Sequence, residues 1–196
     1  MAKSAKEGQL AICPPTETHP AAGSAGCALA PGLEWLIAAF AAARGDGWRL
    51  VIAGDGPHEY RQRLETLART RGADDSVEFV GWKSGEEKRR LISGAALAAL
   101  VSSQENFGLF AAEAMAAGVP VVVAAEVGLS SDVAAAGAGW VVTNGQLEEA
   151  LAGAMTDPDD RRHRGLGARK WADQHYRWES VGRAVMQEYQ RVAKSL

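Results

Sequence analysis

The spacing of apolar residues constrains this fold more than any other feature of the chain. Short apolar runs recur at Leu50-Val51-Ile52-Ala53, Val77-Glu78-Phe79-Val80, Ala95 to Val101, Val119 to Val123 and Trp140-Val141-Val142, each of strand length. Between them lie segments with helical periodicity: Leu33 to Arg44, His58 to Arg71, Gly85 to Ser93, Phe107 to Ala117 and Leu147 to Met155. Pro120 follows Gly118 and suits the first residues of a strand better than a helix interior. Strands alternating with helices over short links predict a single Rossmann-like α/β domain, a parallel sheet with helices on both faces. Ligands of such sheets bind at the carboxyl ends of the strands, where loops meet helix N-termini.

The two ends of the chain read differently. Asp157-Pro158 opens a helix, with Asp as N-cap and Pro at the first helical position. Beyond it, Trp178, Val181, Val185, Tyr189 and Val192 fall at three- and four-residue steps. That stripe predicts a long C-terminal amphipathic helix that needs a surface to cover, either its own sheet or a neighbouring domain. At the other end, Gln9 to Ile12 form a candidate first strand. Pro14, Pro15, Pro20, Gly23, Gly26, Pro31 and Gly32 then interrupt everything up to the first helix. The chain therefore divides into an irregular segment, residues 1–32, and a folded domain, residues 33–196.

Composition removes several classes of function. Of 196 residues, 47% are hydrophobic and 23% charged, ordinary globular usage rather than that of a disordered chain. The net charge of -3, with no long basic run, argues against nucleic acid or an anionic membrane as the main partner. No apolar run is long enough to span a bilayer and no signal peptide is evident. The cytoplasm is the expected compartment. Cys13 and Cys27 lack CxxC spacing and companion histidines, so neither zinc nor a disulfide framework is expected. Asp157, Asp159 and Asp160 contain an Asp-x-Asp, but before a helix they read as a cap and first-turn charges rather than metal ligands.

The segment Ser102-Ser103-Gln104-Glu105-Asn106-Phe107-Gly108-Leu109-Phe110-Ala111-Ala112-Glu113, followed by Ala114 to Val122, carries two glutamates separated by seven residues around the start of a helix. A diphosphate beside the N–H groups of Asn106 to Leu109 would gain hydrogen bonds and the positive end of the helix dipole, and Gly108, lacking a Cβ, is expected to let it approach. Over eight helical residues the two carboxylates would stand roughly 12 Å apart along the axis, too far to act as one acid–base dyad. They could instead hold opposite ends of an elongated ligand. Taken singly, Glu105 is also explained as a carboxylate favoured by the dipole, and Glu113 as a solvated charge on an Ala-rich helix.

This segment closely resembles the signature of glycosyltransferase family 4, the group 1 glycosyl transferases. Val51-Ile52-Ala53-Gly54-Asp55-Gly56-Pro57 resembles the family's strand and Gly-Asp-Gly-Pro turn, and Val77 to Gly81 its strand beside the nucleobase. The Trp178-Glu179 pair resembles the opening of its last helix. The resemblance covers about residues 33 to 194. It implies the C-terminal, donor-binding half of a two-domain GT-B enzyme, retaining and metal-independent, using a nucleotide-diphosphate sugar and no cofactor. It places Glu105 near hydroxyls of the donor sugar as the catalytic candidate and Glu113 on the ribose hydroxyls. Asn106, Phe107, Gly108 and Leu109 fall at the phosphates, with Gly54, Gly56, Trp82 and Lys83 lining the rest of the donor site. The implied partner is an N-terminal acceptor-binding domain missing from this chain, which would also supply any peripheral attachment to the inner membrane.

Two departures from the family pattern stand out. The family carries an Arg after its first strand and a Lys-Gly pair before its first helix. Here no Lys or Arg occurs from Glu7 through Ala43, and the Lys-Gly place reads Pro31-Gly32. Loss of fixed cations beside a departing diphosphate raises the barrier by several kcal/mol. The chain is also about half the expected two-domain length. Both departures support an alternative, a non-catalytic module that binds a nucleotide or a protein partner. A third reading, a sugar-nucleotide epimerase on the same fold, needs a titratable group beside the sugar, and His19, His58, His163 and His175 form no motif for one.

Overall fold

The computed structural model describes residues 8–12, 32–102, 105–143 and 145–194. Six parallel strands form one sheet in the order β3-β2-β1-β4-β5-β6: β1 (Gly8–Ile12), β2 (Trp48–Ala53), β3 (Val77–Gly81), β4 (Leu97–Leu100), β5 (Val121–Ala124) and β6 (Gly139–Val142). The candidate strand near the N-terminus is thus central. It pairs with β2 from Gly8↔Trp48 to Ile12↔Ile52, and with β4 at Leu10↔Leu97 and Ala11↔Ala98. The strand order reverses between β1 and β4, the switch point at which a doubly wound sheet opens a crevice at its carboxyl edge. The rest of the irregular segment, from Cys13 to Pro31, lies outside the described residues, as do the preceding residues 1–7.

The helices are α1 (Leu33–Ala43), α2 (His58–Thr70), α3 (Gly85–Gly94), α4 (Leu109–Ala116), α5 (Ser130–Ala136), α6 (Leu147–Thr156), α7 (Pro158–His175) and α8 (Trp178–Ala193). They divide between the two faces as the period-2 pattern of the strands requires. Leu97 and Ala99 of β4 and Val122 of β5 join a core built from α1, α2 and α6, which contains Leu36, Phe40, Leu64 and Leu151. Ala98 and Leu100 of β4 and Val121 and Val123 of β5 point the other way, into a core built from α3, α4, α5 and α7. The central strands are therefore apolar on both sides and read as continuous runs. Each fully buried Leu, Ile or Phe stabilises the fold by about 1.5–3 kcal/mol relative to exposure.

The sequence-based reading requires three adjustments. A helix at Ser130–Ala136 was not expected: seven residues, mostly Ser and Ala, present too short a pattern to register, and Val133 alone among them is buried. The Gly54-Asp55-Gly56-Pro57 turn also reads, without a ligand, as a lead into a helix with Pro57 at its first position, whereas Pro57 stands at the N-cap of α2. The helix expected from Phe107 starts at Leu109, because Gly108 adopts a left-handed conformation with φ of 101°.

The apolar stripe of the tail stays largely uncovered among the described residues. Among the described residues α8 packs chiefly against α7 and buries no side chain fully. Trp178 is 86% exposed, and Val181, Val185, Tyr189 and Val192 lie on the surface with it. No helix among the described residues is long and apolar enough to cross a membrane.

Candidate functional site

The loop between β4 and α4 leaves the carboxyl edge of the sheet beside the switch point. Two backbone hydrogen bonds from the next loop fix it: Gly128 N donates to Glu105 O at 3.3 Å, and Leu129 N to Phe107 O at 3.0 Å. The approach is so close that a Cβ on Gly128 would fall 2.0 Å from Asn106 O, which only glycine tolerates. The missing Cβ of Gly108 serves packing in the same way. It would point at Val127 Cγ1, 2.9 Å away, and Leu100 Cδ2, 3.1 Å away. Its absence thus seats the loop on the core.

Glu105 turns back onto this helix end. Its Oε1 accepts from Gly108 N at 3.0 Å and from Phe107 N at 3.3 Å. Two of the amides expected to hold phosphate are therefore held here by a carboxylate, a placement that the helix dipole favours. Since α4 begins only at Leu109, Glu105 precedes the helix and Glu113 stands in its second turn. The separation expected from eight helical residues does not apply. Asn106, Phe107 and Leu109 are exposed around the same end, while Gly108 is buried. The Phe107 ring meets the edge of Tyr176 at 6.1 Å between centroids, and the Tyr176 hydroxyl donates to Asp132 at 2.7 Å. Burial first, then that hydrogen bond, pushes the Tyr176 phenol well above its ordinary range, so it remains a neutral donor that ties α5 to the C-terminal end of α7.

Glu113 faces α3. Its Oε2 lies 2.6 Å from Lys88 Nζ, and both side chains line a cleft of about 670 Å³ between α3 and α4 that begins at Gly85. The remaining expected residues gather at the ends of β2 and β3. Gly54 N donates to Gly81 O at 2.9 Å, which binds the Gly-Asp-Gly-Pro turn to the end of β3. Gly54 and Gly56 line a second hollow of about 190 Å³, together with His58, Arg61 and Phe79. Trp82, 48% exposed, and the half-buried Lys83 follow directly.

The expected residues thus share the carboxyl edge of the sheet, in two groups: Glu105 to Glu113 at β4–α4, and Gly54, Gly56, Trp82 and Lys83 at β2 and β3. Lys88 and Gly128 escaped sequence reasoning. A Lys on one helix facing a Glu on another leaves no spacing signal, and the close approach of Gly128 arises only when two loops meet. Ser103 and Gln104 lie outside the described residues. Among the described residues no group of three or more His, Cys, Asp or Glu side chains converges as metal ligands would.

The model of the glycosyl transferases group 1 family matches residues 28–171, more than half of the chain. The chain is 34% identical over 151 residues to a D-inositol 3-phosphate glycosyltransferase from Corynebacterium urealyticum, covering 72% of this chain and 34% of that one. Its fold is similar to sucrose-phosphate synthase from Thermosynechococcus elongatus, with a TM-score of 0.73 and 27% identity, covering 97% of this chain and 46% of that one. It is also similar to Anabaena HepE, solved in complex with UDP and glucose, with a TM-score of 0.69, 22% identity, and coverage of 97% of this chain and 49% of that one. The chain spans half or less of the length of each of these proteins. A Rossmann-type sheet reversing between β1 and β4, a helix start held by a carboxylate beside that point and a family match across it lead to one conclusion: the chain belongs to the group 1 glycosyl transferases.

Proposed function

We propose that this chain is the donor-binding half of a retaining, metal-independent glycosyltransferase that uses a nucleotide-diphosphate sugar. The observation that carries the reading is the N-terminus of α4. It opens at the switch point, has no acidic residue in its own first turn, and draws the Glu105 carboxylate onto Phe107 N and Gly108 N. A diphosphate takes over these amides in the donor complex. Glu105, released, turns to the hydroxyls of the donor sugar, while Glu113 accepts from the ribose. Gly54, Gly56, Trp82 and Lys83 border the nucleoside end. UDP in the similarly folded HepE supports a nucleoside diphosphate as the ligand class. Retention and metal independence follow from the family resemblance. No general base is needed in that chemistry: stabilising charge on the leaving diphosphate and aligning the reactants lower the barrier.

Transfer requires a complementary N-terminal domain that binds the acceptor and excludes water. The apolar face of α8, with Trp178, Val181, Val185 and Tyr189 exposed, is the surface such a domain covers. The cytoplasm is the compartment this reading assigns to the chain. The purified chain should bind UDP or GDP in calorimetric titration, and the complementary domain should add transfer of labelled sugar that persists in EDTA. Absence of binding to either nucleotide sinks the reading. Binding without transfer, whichever domain is added, leaves the nucleotide-binding module, a second reading favoured by the lack of Lys or Arg from Glu7 through Ala43.

A further inference from the structure

We infer that Lys88 is a positioning residue for the donor, acting through Glu113; the inference rests on Glu113 meeting the ribose. Three consecutive cations stand on α3. Arg89 and Arg90 pair with Glu86 of the same helix at 3.1 and 3.2 Å, whereas Lys88 crosses to α4 and meets Glu113 at 2.6 Å. Lys88 is the more sheltered partner, with 25% of its side chain exposed against 47% for Glu113. Both line the α3–α4 cleft, whose volume of about 670 Å³ lies within the usual range for small-molecule sites.

Two effects follow from this contact. Ionised Glu113 has roughly four lone-pair sites, and Lys88 engages Oε2, so acceptor capacity remains for two ribose hydroxyls. The contact also restrains a flexible side chain before the ligand arrives, which removes part of the ordering cost of binding. The second effect is charge. A nucleoside diphosphate must approach between two carboxylates, Glu105 and Glu113, in a chain with no Lys or Arg from Glu7 through Ala43. Lys88 neutralises one of the two. Without it, an unpaired anion on α4 would repel the incoming diphosphate, most strongly at low ionic strength.

The test titrates UDP and GDP, and their 2′-deoxy counterparts, into the parent chain and into the Lys88→Met, Lys88→Arg and Glu113→Gln variants, with Tm measured alongside. Lys88→Met should weaken ribonucleotide binding about tenfold at low salt, less at high salt, and erase most of the preference for ribose over deoxyribose. Lys88→Arg should restore that preference, and Glu113→Gln should lose it. If Lys88→Met keeps the parent's ribose preference, with or without a lower Tm, Lys88 merely braces α3 on α4 and the inference is overturned while the ribose role of Glu113 stands. A parent that binds neither nucleotide, or a Glu113→Gln variant that keeps the preference, overturns that role and the inference with it.

Discussion

At the starts of α4 and α7 backbone amides donate to a side-chain carboxylate, and the two helices use it differently. Asp157 is itself the N-cap of α7: its Oδ1 accepts from Asp160 N at 2.8 Å, Pro158 occupies the first turn, and Asp159 and Asp160 add negative charge there. Asp160 is paired in turn with Arg164 at 2.9 Å. Every device that stabilises a helix start is supplied locally. The start of α4 has none of these. Its cap is Gly108, its first turn carries no acid, and the carboxylate on its amides comes from Glu105, three residues upstream of the cap. The α7 start lies where α6, returning from β6, has reached the amino edge of the sheet, away from the crevice. The α4 start lies at the carboxyl edge of β4, inside it. One end is finished by its own first turn, and the other rests on the upstream Glu105, at the edge where the proposed ligand would bind.

The largest expected effect comes from Gly108→Ala. The substitution places a Cβ at φ of 101° and 2.9 Å from Val127 Cγ1, combining backbone strain with overpacking. We expect a loss of about 2–4 kcal/mol in urea unfolding. A loss well under 1 kcal/mol would mean that α4 starts through its carboxylate rather than its glycine, and the two helix ends would be alike. Next in size is a paired substitution. Asp157→Ala should cost about 1 kcal/mol of stability and leave nucleotide affinity untouched. Glu105→Ala should cost less than half as much, weaken nucleotide-sugar binding several-fold (by about 1 kcal/mol), and leave inorganic pyrophosphate binding equal or tighter, since its competitor for the amides is gone. If Asp157→Ala and Glu105→Ala differ in neither stability nor ligand affinity, Glu105 is a structural cap like Asp157.

The contrast between the two ends was only half legible in the sequence. Asp157-Pro158 announced its cap because every interacting atom lies within four residues, and the sheet was legible for a similar reason: runs such as Val121 to Ala124 are apolar on both faces and need no distant partner to be identified. The glutamates at positions 105 and 113 were visible as a spacing, but their geometry was misjudged. Helical periodicity runs through Phe107 and Gly108, whereas the left-handed turn at Gly108 depends on Leu100 and Val127 packing beneath it. Lys88 was invisible altogether, since its partner lies on a different helix and no acid stands three or four residues from it along α3. Contacts between elements decided what spacing along one element could not.

The smallest effect isolates the field at each helix end. Asp159 lies in the first turn of α7 and is exposed, so Asp159→Asn removes one charge with little change in packing. We expect a loss of about 0.3–0.5 kcal/mol at low salt, vanishing near 0.5 M salt, where the screening length falls to roughly 4 Å. The matching change at α4, Leu109→Asp, adds a carboxylate to the first turn of a helix that has none, at a position where the native side chain is exposed. The same field then predicts a gain of about the same size, with the same salt dependence. The added carboxylate should also weaken pyrophosphate binding, because it occupies the field that the ligand would use. Equal losses at the two positions would mean that Glu105 already saturates the α4 end, leaving no positive potential there to attract a phosphate.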